Sequence, residues 1–562
     1  VSKRKGEHGS SVFEATILRR IAAMWTSTLE IRLKKVVPTR FLGLFWRGAY
    51  FSSLAPLQVR NVPRRQVAGD TGNWVRVHNR LAGICGSDLH LVFLDADLRI
   101  APAALPSHAY DYPGHEVIGE VIEIGDQVQN LHVGDRVVLQ NGPNCLSAGV
   151  QPPCAACATA NYNLCENGNL PGPGQIGGGW SEEMLVREQQ LFRIPSQMED
   201  EQAVLLEPSA VALHAVLRHI PRAGEKVLIV GAGTIGLLVL QVVRALAPQV
   251  EVSVMARHGF QVEQATRLGA EHIFYGRDSY ESIEKVTGGK LYTGMLGNKM
   301  LLGGYDVIYD TVGTRQTIHD SLRWGRARGT VVMVGVSLHR MRLDLSPIWH
   351  QEVNLIGAVG HGTELWPPGT DQTRPTFAIA ADLITNGLLH PEKLITHRFA
   401  LSNYREALQA AAEKKSSRAI KVVFDAALLP ASSIPNAHPT PATRLRLPLF
   451  RTTEDVPLEA SIAGADSPSG PLSAAQPAPS TGPSHFTMSQ SEDFTADFDN
   501  LQFINPRARR PPKALMLRRT SGDISASSSA IRHTGVTKRT DQTLEHIEGT
   551  TQNSLRAPQN EA

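Results

Sequence analysis

Residues 227–236 read VLIVGAGTIG, and this stretch decides the fold. Four apolar residues, Val227 to Val230, run directly into Gly231-Ala232-Gly233-Thr234-Ile235-Gly236. A short apolar run bounded by glycine fits a buried parallel strand. The apolar-rich residues from Leu237 to Leu246 then fit a helix. Strand, G-x-G-x-x-G and helix in that order make up a dinucleotide-binding fingerprint. Gly231 permits the tight turn, Gly233 lets the backbone approach a pyrophosphate, and Gly236 allows close helix–strand packing. The free N–H groups of the helix N-terminus, on Thr234, Ile235 and Gly236, favour phosphate.

Downstream the rhythm stays strand–helix. Val250–Met255, Tyr305–Thr311 and Gly329–Val336 read as strands, and Gln261–Leu268 as a helix. Such alternation implies a parallel sheet covered by helices. Residues 287–304 carry six glycines and read as a surface loop. Upstream the texture differs. Leu57–Val62, Trp74–Asn79 and Glu116–Ile124 alternate apolar and polar residues, and Val133–Leu139 is a Gly-Asp turn feeding a strand. Short strands with such turns suggest an irregular, β-barrel-like domain. Residues 140–180 are loop-like, and Glu199–His219 reads as one or two helices. Asn354–Gly357 and Ile395–Leu401 return to the upstream texture, followed by a helix at Asn403–Glu413 and a strand at Ala419–Phe424. The dinucleotide domain is therefore expected to be embraced by the first domain. The expected boundaries are 48–220 and 356–426 for the β-rich domain and 221–355 for the parallel sheet.

The ends have a different composition. Residues 1–47 are basic and are expected to be a poorly ordered extension, although 17–37 also fit a basic amphipathic helix. Arg-rich, acid-poor transit segments have this character, but Glu7, Glu14 and Glu30 count against one. Residues 427–562 are rich in Pro, Ser, Ala and Thr, with an acidic-aromatic patch at 492–499 and a basic patch at 507–519. Such a segment buries too little apolar surface to offset its ordering entropy and is expected to be a disordered tail.

The 562 residues carry a net charge of +3, which gives no global signal for a nucleic-acid or membrane partner. No run of about 18 uninterrupted apolar residues occurs. Four of the five cysteines, Cys145, Cys154, Cys157 and Cys165, lie within 21 residues. An odd, clustered set argues for thiolate ligands in a reducing compartment, and a cytoplasmic location is expected. Four soft donors in a Pro/Gly/Asn-rich loop suit a closed structural Zn²⁺ site. The fifth, Cys85, sits in GICGSDLH, and His115 and Glu116 follow thirty residues on. Cys, His and Glu at one Zn²⁺ leave a position open, as a catalytic site requires, and zinc there acts as a Lewis acid on an alcohol or carbonyl oxygen.

These blocks together resemble the zinc-dependent medium-chain dehydrogenase/reductase superfamily, nearest its threonine, sorbitol and glucose dehydrogenase branches. The matching segments are GICGSDLH (83–90), GHEVIGEV (114–121), VGDRVV (133–138), the cysteine loop, EPSAVALHAV (207–216), VLIVGAGTIG (227–236) and SRAIKVVFD (417–425), spanning residues 48–425. The resemblance implies an α/β protein. It pairs a GroES-like β-rich catalytic domain with a Rossmann doubly wound coenzyme domain, the active site lying between them. It implies Cys85 and His115 as catalytic zinc ligands, with Glu116 and Glu207 as further carboxylates at that metal. Ser87 matches the hydroxyl of a proton relay and His90 its solvent end. A dimer or tetramer is expected by the same resemblance. One departure is Gln151, which stands where the family's first structural cysteine falls, so Cys145 must reach across an enlarged loop.

A second departure concerns the coenzyme. An NAD-specific domain carries an acid at the end of the second strand for the ribose 2′-OH. Here that position is Ala256, followed by Arg257 and His258. Loss of the carboxylate and gain of Arg257 favour a 2′-phosphate, so NADP(H) is expected over NAD(H). The sequence thus predicts a zinc-dependent oxidoreductase moving a hydride between an alcohol, polyol or sugar and NADP(H). Trp180 and the stretch between His90 and His115 are expected to border the pocket. One alternative is an inactive dehydrogenase-fold scaffold acting through the tail. A zinc-stabilised nucleic-acid binder is a more remote one, since the net charge is near neutral and no recognition helix is evident.

Overall fold

The computed structural model describes residues 23–428, apart from 68–71, 105–111, 143, 169–173 and 276–278. The chain begins there with two antiparallel strands, β1 (Ala23–Leu29) and β2 (Leu57–Pro63). The catalytic sheet follows with β3 (Trp74–Gly83), β4 (Val117–Ile124), β5 (Arg136–Leu139), β6 (Glu183–Arg187) and β7 (Leu191–Arg193). The coenzyme domain opens with β8 (Lys226–Val230), β9 (Glu251–Ala256) and β10 (His272–Tyr275). A hairpin of β11 (Lys290–Thr293) and β12 (Lys299–Leu302) precedes β13 (Tyr305–Asp310), β14 (Gly325–Met333) and β15 (Asn354–Gly357). A second hairpin, β16 (Thr363–Leu365) and β17 (Thr373–Pro375), leads back to β18 (Ile395–Phe399) and β19 (Lys421–Asp425).

Two sheets carry the architecture. The coenzyme sheet runs β10-β9-β8-β13-β14-β15 and every pair in it is parallel. Numbered along the chain this is the 3-2-1-4-5-6 doubly wound order, with its switch point between β8 and β13. The catalytic sheet runs β18-β19-β3-β4-β5-β7, with β6 also on β3, and is antiparallel except for β18 on β19. The helix Leu206–Leu217 packs against both Thr234–Leu246 and Thr376–Thr385. They join Leu81, Ile118 and Val138 of the catalytic sheet to Val227, Ile229 and Val252 of the coenzyme sheet in one buried cluster.

Three expectations are corrected. The extension expected at 1–47 is ordered from Ala23 on. Met24 and Leu29 are buried on β1, Ser27 N–H donates to the Trp180 carbonyl, and the Thr26 and Ser181 hydroxyls pair at 2.5 Å. Pairing of AMWTSTL with 57–63, not the basic residues around it, decides this segment; the helix lies at Leu33–Gly43. Residues 1–22 and the tail from 429 lie outside the described residues. The glycine-rich 287–304 is the β11–β12 hairpin rather than a loop. Gly288, Gly297 and Gly303 take positive φ at its turns, and buried Leu301 pins it to the domain. Asn354–Gly357 belongs to the coenzyme sheet as its edge strand, so the chain returns to the catalytic domain after 357.

The return is clamped by the cysteine loop. Asn163 donates to the His361 carbonyl (2.9 Å), the Thr363 amide donates to Asn161 (3.2 Å), and His361 Nε2 contacts the Gln140 carbonyl at 2.9 Å. His361 is buried edge-on to Phe377, and burial pushes its pKa down to about 4, with His214 adding and the Gln140 carbonyl opposing. The folded imidazole therefore stays neutral where the unfolded one, near 6.5, takes a proton. Its contribution to stability is intact above about pH 6.5 and falls by about 3 kcal/mol in total as the pH drops to about 4. His361→Gln should flatten that part of the melting-temperature profile; an identical slope in both proteins would refute the assignment.

Candidate functional site

The glycine loop lies at the switch point. Gly231 takes φ +101°, and a Cβ there would strike Val312 and Thr311. A Cβ on Gly236 would run into the Gly231 carbonyl oxygen, so only glycine lets the helix Thr234–Leu246 start this close to β8. A Cβ on Gly233 would meet only the Lys414 ammonium, at 4.0 Å. Among the described residues, no hydrogen bond engages the amides of Gly233, Thr234, Ile235 or Gly236. Across the switch point the buried Asp310 accepts the Val312 and Gly313 amides (2.9 and 3.0 Å) and shapes the facing turn. A glycine turn with free amides at a helix N-terminus has the form that can receive a diphosphate. At the end of β9, Ala256 is buried and Arg257 is exposed, with no acidic partner among the described residues. The Arg257 and His258 amides are held by Gln261 Oε1, each at 3.1 Å.

The first metal-type cluster joins Cys85, His115 and Glu116, whose donor atoms lie within 4.8 Å of one another. Cys85 caps the helix Gly86–Val92, its amide donating to Asp88 Oδ2 at 3.0 Å. The other Asp88 oxygen lies 3.6 Å from His115 Nδ1. One buried carboxylate thus orients two donors, the usual second-layer support of a metal-ligating histidine. Burial opposes protonation of His115, but Asp88 and Cys85 hold its pKa well above the ordinary value. Glu116 is buried against Lys421, itself buried, whose ammonium also donates to the Ile84 carbonyl at 3.3 Å. A side chain at Gly83 would occupy the Glu116 carboxylate's place. Gly114 takes φ +90° against Trp180.

Glu207, on the helix Leu206–Leu217, is not in that close set. It does face it. Burial pushes its carboxyl up to about 7; His115 and Lys421 oppose this, and Glu116 and Asp88 add to it. Ser87 is half-buried on the helix after Cys85, and no hydrogen bond joins it to His90 among the described residues. His90 Nδ1 meets Asp95 at 3.1 Å, and Asp95 meets His339 of the coenzyme domain at 3.2 Å. Trp180 does not border a pocket. It is 1% exposed, packs edge-on to Phe424 and donates to the Gly83 carbonyl at 2.9 Å, so it supports the site from beneath. Of the stretch between His90 and His115, residues 105–111 lie outside the described residues.

The second cluster joins Cys145, Cys154, Cys157 and Cys165. The Cys145–Cys165 and Cys154–Cys165 sulfurs are 3.7 and 4.0 Å apart. Tetrahedral Zn²⁺ with bonds of about 2.3 Å needs sulfurs about 3.8 Å apart, so the four fit it. Cys145 reaches the set because it starts the turn Cys145–Ala148, with Asn144 accepting the Leu146 and Ser147 amides at 3.0 and 3.2 Å.

Two site residues escaped the sequence reading. Asp88 stands three after Cys85, the N3 position of a capping box, which is a usable signal. Lys421 is a lone cation inside AIKVVFD, and a lysine on a buried strand needs an acid partner. Asp88→Asn should weaken zinc retention at the Cys85 site about 10- to 100-fold, measured by chelator competition; unchanged retention would contradict its orienting role.

Residues 71–196 match the family described as alcohol dehydrogenase GroES-like domain, and 234–373 the one described as zinc-binding dehydrogenase. The (R,R)-butanediol dehydrogenase of Saccharomyces cerevisiae is 30% identical over 335 residues, 56% of this chain and 83% of that protein. The L-idonate 5-dehydrogenase of Vitis vinifera is 28% identical over 354 residues, 62% and 87% of the two chains. Among solved structures, 2R,3R-butanediol dehydrogenase from Bacillus subtilis is similar with a TM-score of 0.51 at 27% identity, over 66% of this chain and 96% of that one. A Sinorhizobium meliloti protein described as a zinc-binding dehydrogenase bound to NADP shares the fold, with a TM-score of 0.53 at 24% identity over 72% and 99% of the chains. With its doubly wound sheet, its Cys-His-Glu donor set and its four-cysteine loop, the chain belongs to the zinc-dependent medium-chain dehydrogenase/reductase family.

Proposed function

We propose that this oxidoreductase oxidises a polyol or related secondary alcohol, or reduces its carbonyl form, with NADP(H) preferred over NAD(H). The observation that carries the reading is the Cys85–His115–Glu116 donor set in a chain with an open diphosphate cradle. Bound there, zinc would polarise the substrate oxygen and lower its pKa. Cys85 and His115 hold the metal in this account, and Glu207 supplies a nearby carboxylate. Glu116 is paired with Lys421, so toward a metal it would serve as an exchangeable ligand. Ser87 relays the substrate's proton, releasing its own hydroxyl proton as it accepts that one, and His90, oriented by Asp95, takes the released proton on to solvent through an intervening water. The loop Gly231–Gly236 receives the diphosphate and positions the nicotinamide for hydride transfer. Cys145, Cys154, Cys157 and Cys165 hold a structural zinc.

The polyol class is supported by relatives named for butanediol, idonate and sorbitol. The NADP preference is supported by Ala256 and the unpartnered Arg257. The five free thiols favour a reducing, cytoplasmic location. The unpaired outer edge of β15 favours a homo-oligomer.

Cys85→Ser should lower turnover at least about 1,000-fold while leaving coenzyme affinity within about twofold, since it touches the metal and not the cradle. Full turnover at reduced zinc content would refute the metal mechanism. Arg257→Ala should weaken NADP⁺ about tenfold or more and leave NAD⁺ nearly unchanged, by calorimetric titration. Equal loss for both would sink the coenzyme assignment.

A further inference from the structure

The segment between β1 and β2 carries its apolar side chains outward. Its helix, Leu33–Gly43, is held by a narrow inner edge. Thr39 is buried and donates to the Leu54 carbonyl at 3.2 Å, and the Tyr50 ring closes on Gly43. Tyr50 in turn packs edge-on to Phe93 of the catalytic domain. On the outer side, Leu33, Val37 and Phe41 follow one another at four-residue spacing, which aligns them along one face. Leu44, Phe45 and Trp46 come next, and all six side chains belong to residues between 59 and 80% exposed. Phe41 and Phe45 meet edge-to-face with ring centres 5.8 Å apart, so the apolar surface continues past the last turn.

A surface helix ordinarily turns its apolar residues to the core, and a large exposed apolar patch marks a contact with something else. No metal donor and no part of the glycine turn lies in this segment, so neither site accounts for the exposure. Charge narrows the partner. Residues 31–52 contain Arg32, Lys34, Lys35, Arg40 and Arg47 and no acid. Glu30 pairs with Arg32 and Lys35, and Glu413 pairs with Arg47. Lys34 and Arg40 are exposed beside the stripe, and among the described residues neither forms an ion pair. The chain's total of +3 conceals this local excess. A second copy seated on the same face would set these cations against their own equivalents. An anionic lipid leaflet meets both requirements at once, with an apolar interior for Leu, Phe and Trp and phosphates for the cations.

We propose that the face from Leu33 to Trp46 is a membrane-surface contact, seating its apolar side chains at the acyl boundary of an anionic leaflet while Lys34 and Arg40 meet lipid phosphates. No helix among the described residues is long and apolar enough to cross a membrane, and this contact lies in the plane of the lipid surface. Thr39 and Tyr50 already fix the helix, so the face is preformed and little ordering entropy opposes docking. Six apolar side chains and two free cations give a reversible attachment that weakens as salt rises. The contact does not depend on the reaction proposed above, because it uses no residue of either donor set or of the glycine turn.

Vesicle co-sedimentation of the full-length protein tests this. It uses phosphatidylcholine vesicles and vesicles that also carry phosphatidylserine, each read against lipid-free protein. Partitioning onto the phosphatidylserine vesicles should be stronger by about tenfold or more and should fall as salt is raised. Phe41→Ser combined with Phe45→Ser should lower binding to both vesicle types by about tenfold. Lys34→Gln combined with Arg40→Gln should lower it by about tenfold on the anionic vesicles only. All four residues are exposed, so melting temperatures should match wild type; Val37→Ser replaces the phenylalanine pair should that variant melt early. Equal partitioning onto both vesicle types, or none onto either, would overturn the proposal. So would variants that bind as wild type does. A lipid-free dimer that the phenylalanine substitutions dissociate would overturn it as well, by giving the face to a second copy.

Discussion

Lys421 and Glu116 meet where each side chain is only 2% exposed, and the site is arranged around that pair. A buried cation and a buried carboxylate tolerate burial only together, and losing either partner costs about 3–5 kcal/mol. The pair ties β19, near the end of the described chain, to the residue beside His115 that immediately precedes β4. Gly83 must lack a side chain because the carboxylate takes its space, and Trp180 fills the layer beneath. Cys85 and His115 then stand on a rigid floor, oriented through Asp88. Donors separated by thirty residues converge because β3 and β4 are antiparallel neighbours whose ends lie side by side.

The same chain builds two metal-type sites with opposite purposes. Four thiols would satisfy zinc completely and so crosslink a loop with little core of its own. That loop then grips residues 361–363 through Asn161 and Asn163, the passage between the coenzyme sheet and the returning catalytic segment. The mixed Cys-His-Glu set would leave a coordination position for substrate.

The coenzyme fold was legible because a short local pattern specifies it. The apolar run 227–230 and three glycines give β8, the turn and the helix with little room for alternatives. Cys85, His115, Glu116 and the cysteine set were legible because few roles suit those residues at that density. What escaped depends on long-range contact. Asp88 and Lys421 acquire meaning only when β3, β4 and β19 lie together. Net basicity misled at the N-terminus, where seven residues, 23–29, found a partner strand at 57–63. Glycine content misled at 287–304, where the glycines make hairpin turns around buried Leu301. Asn354–Gly357 is too short to declare its sheet; its place follows from pairing with β14.

The most direct measurement is zinc stoichiometry combined with zinc-edge X-ray absorption on the purified full-length protein. Two zinc ions per chain are predicted, one in an all-sulfur shell and one with a single sulfur among nitrogen and oxygen donors. The average would be about 2.5 sulfurs per zinc, rising to about four when the mixed site is selectively emptied. A single zinc in an all-sulfur shell, in protein that still reduces a carbonyl with NADPH, would contradict the account.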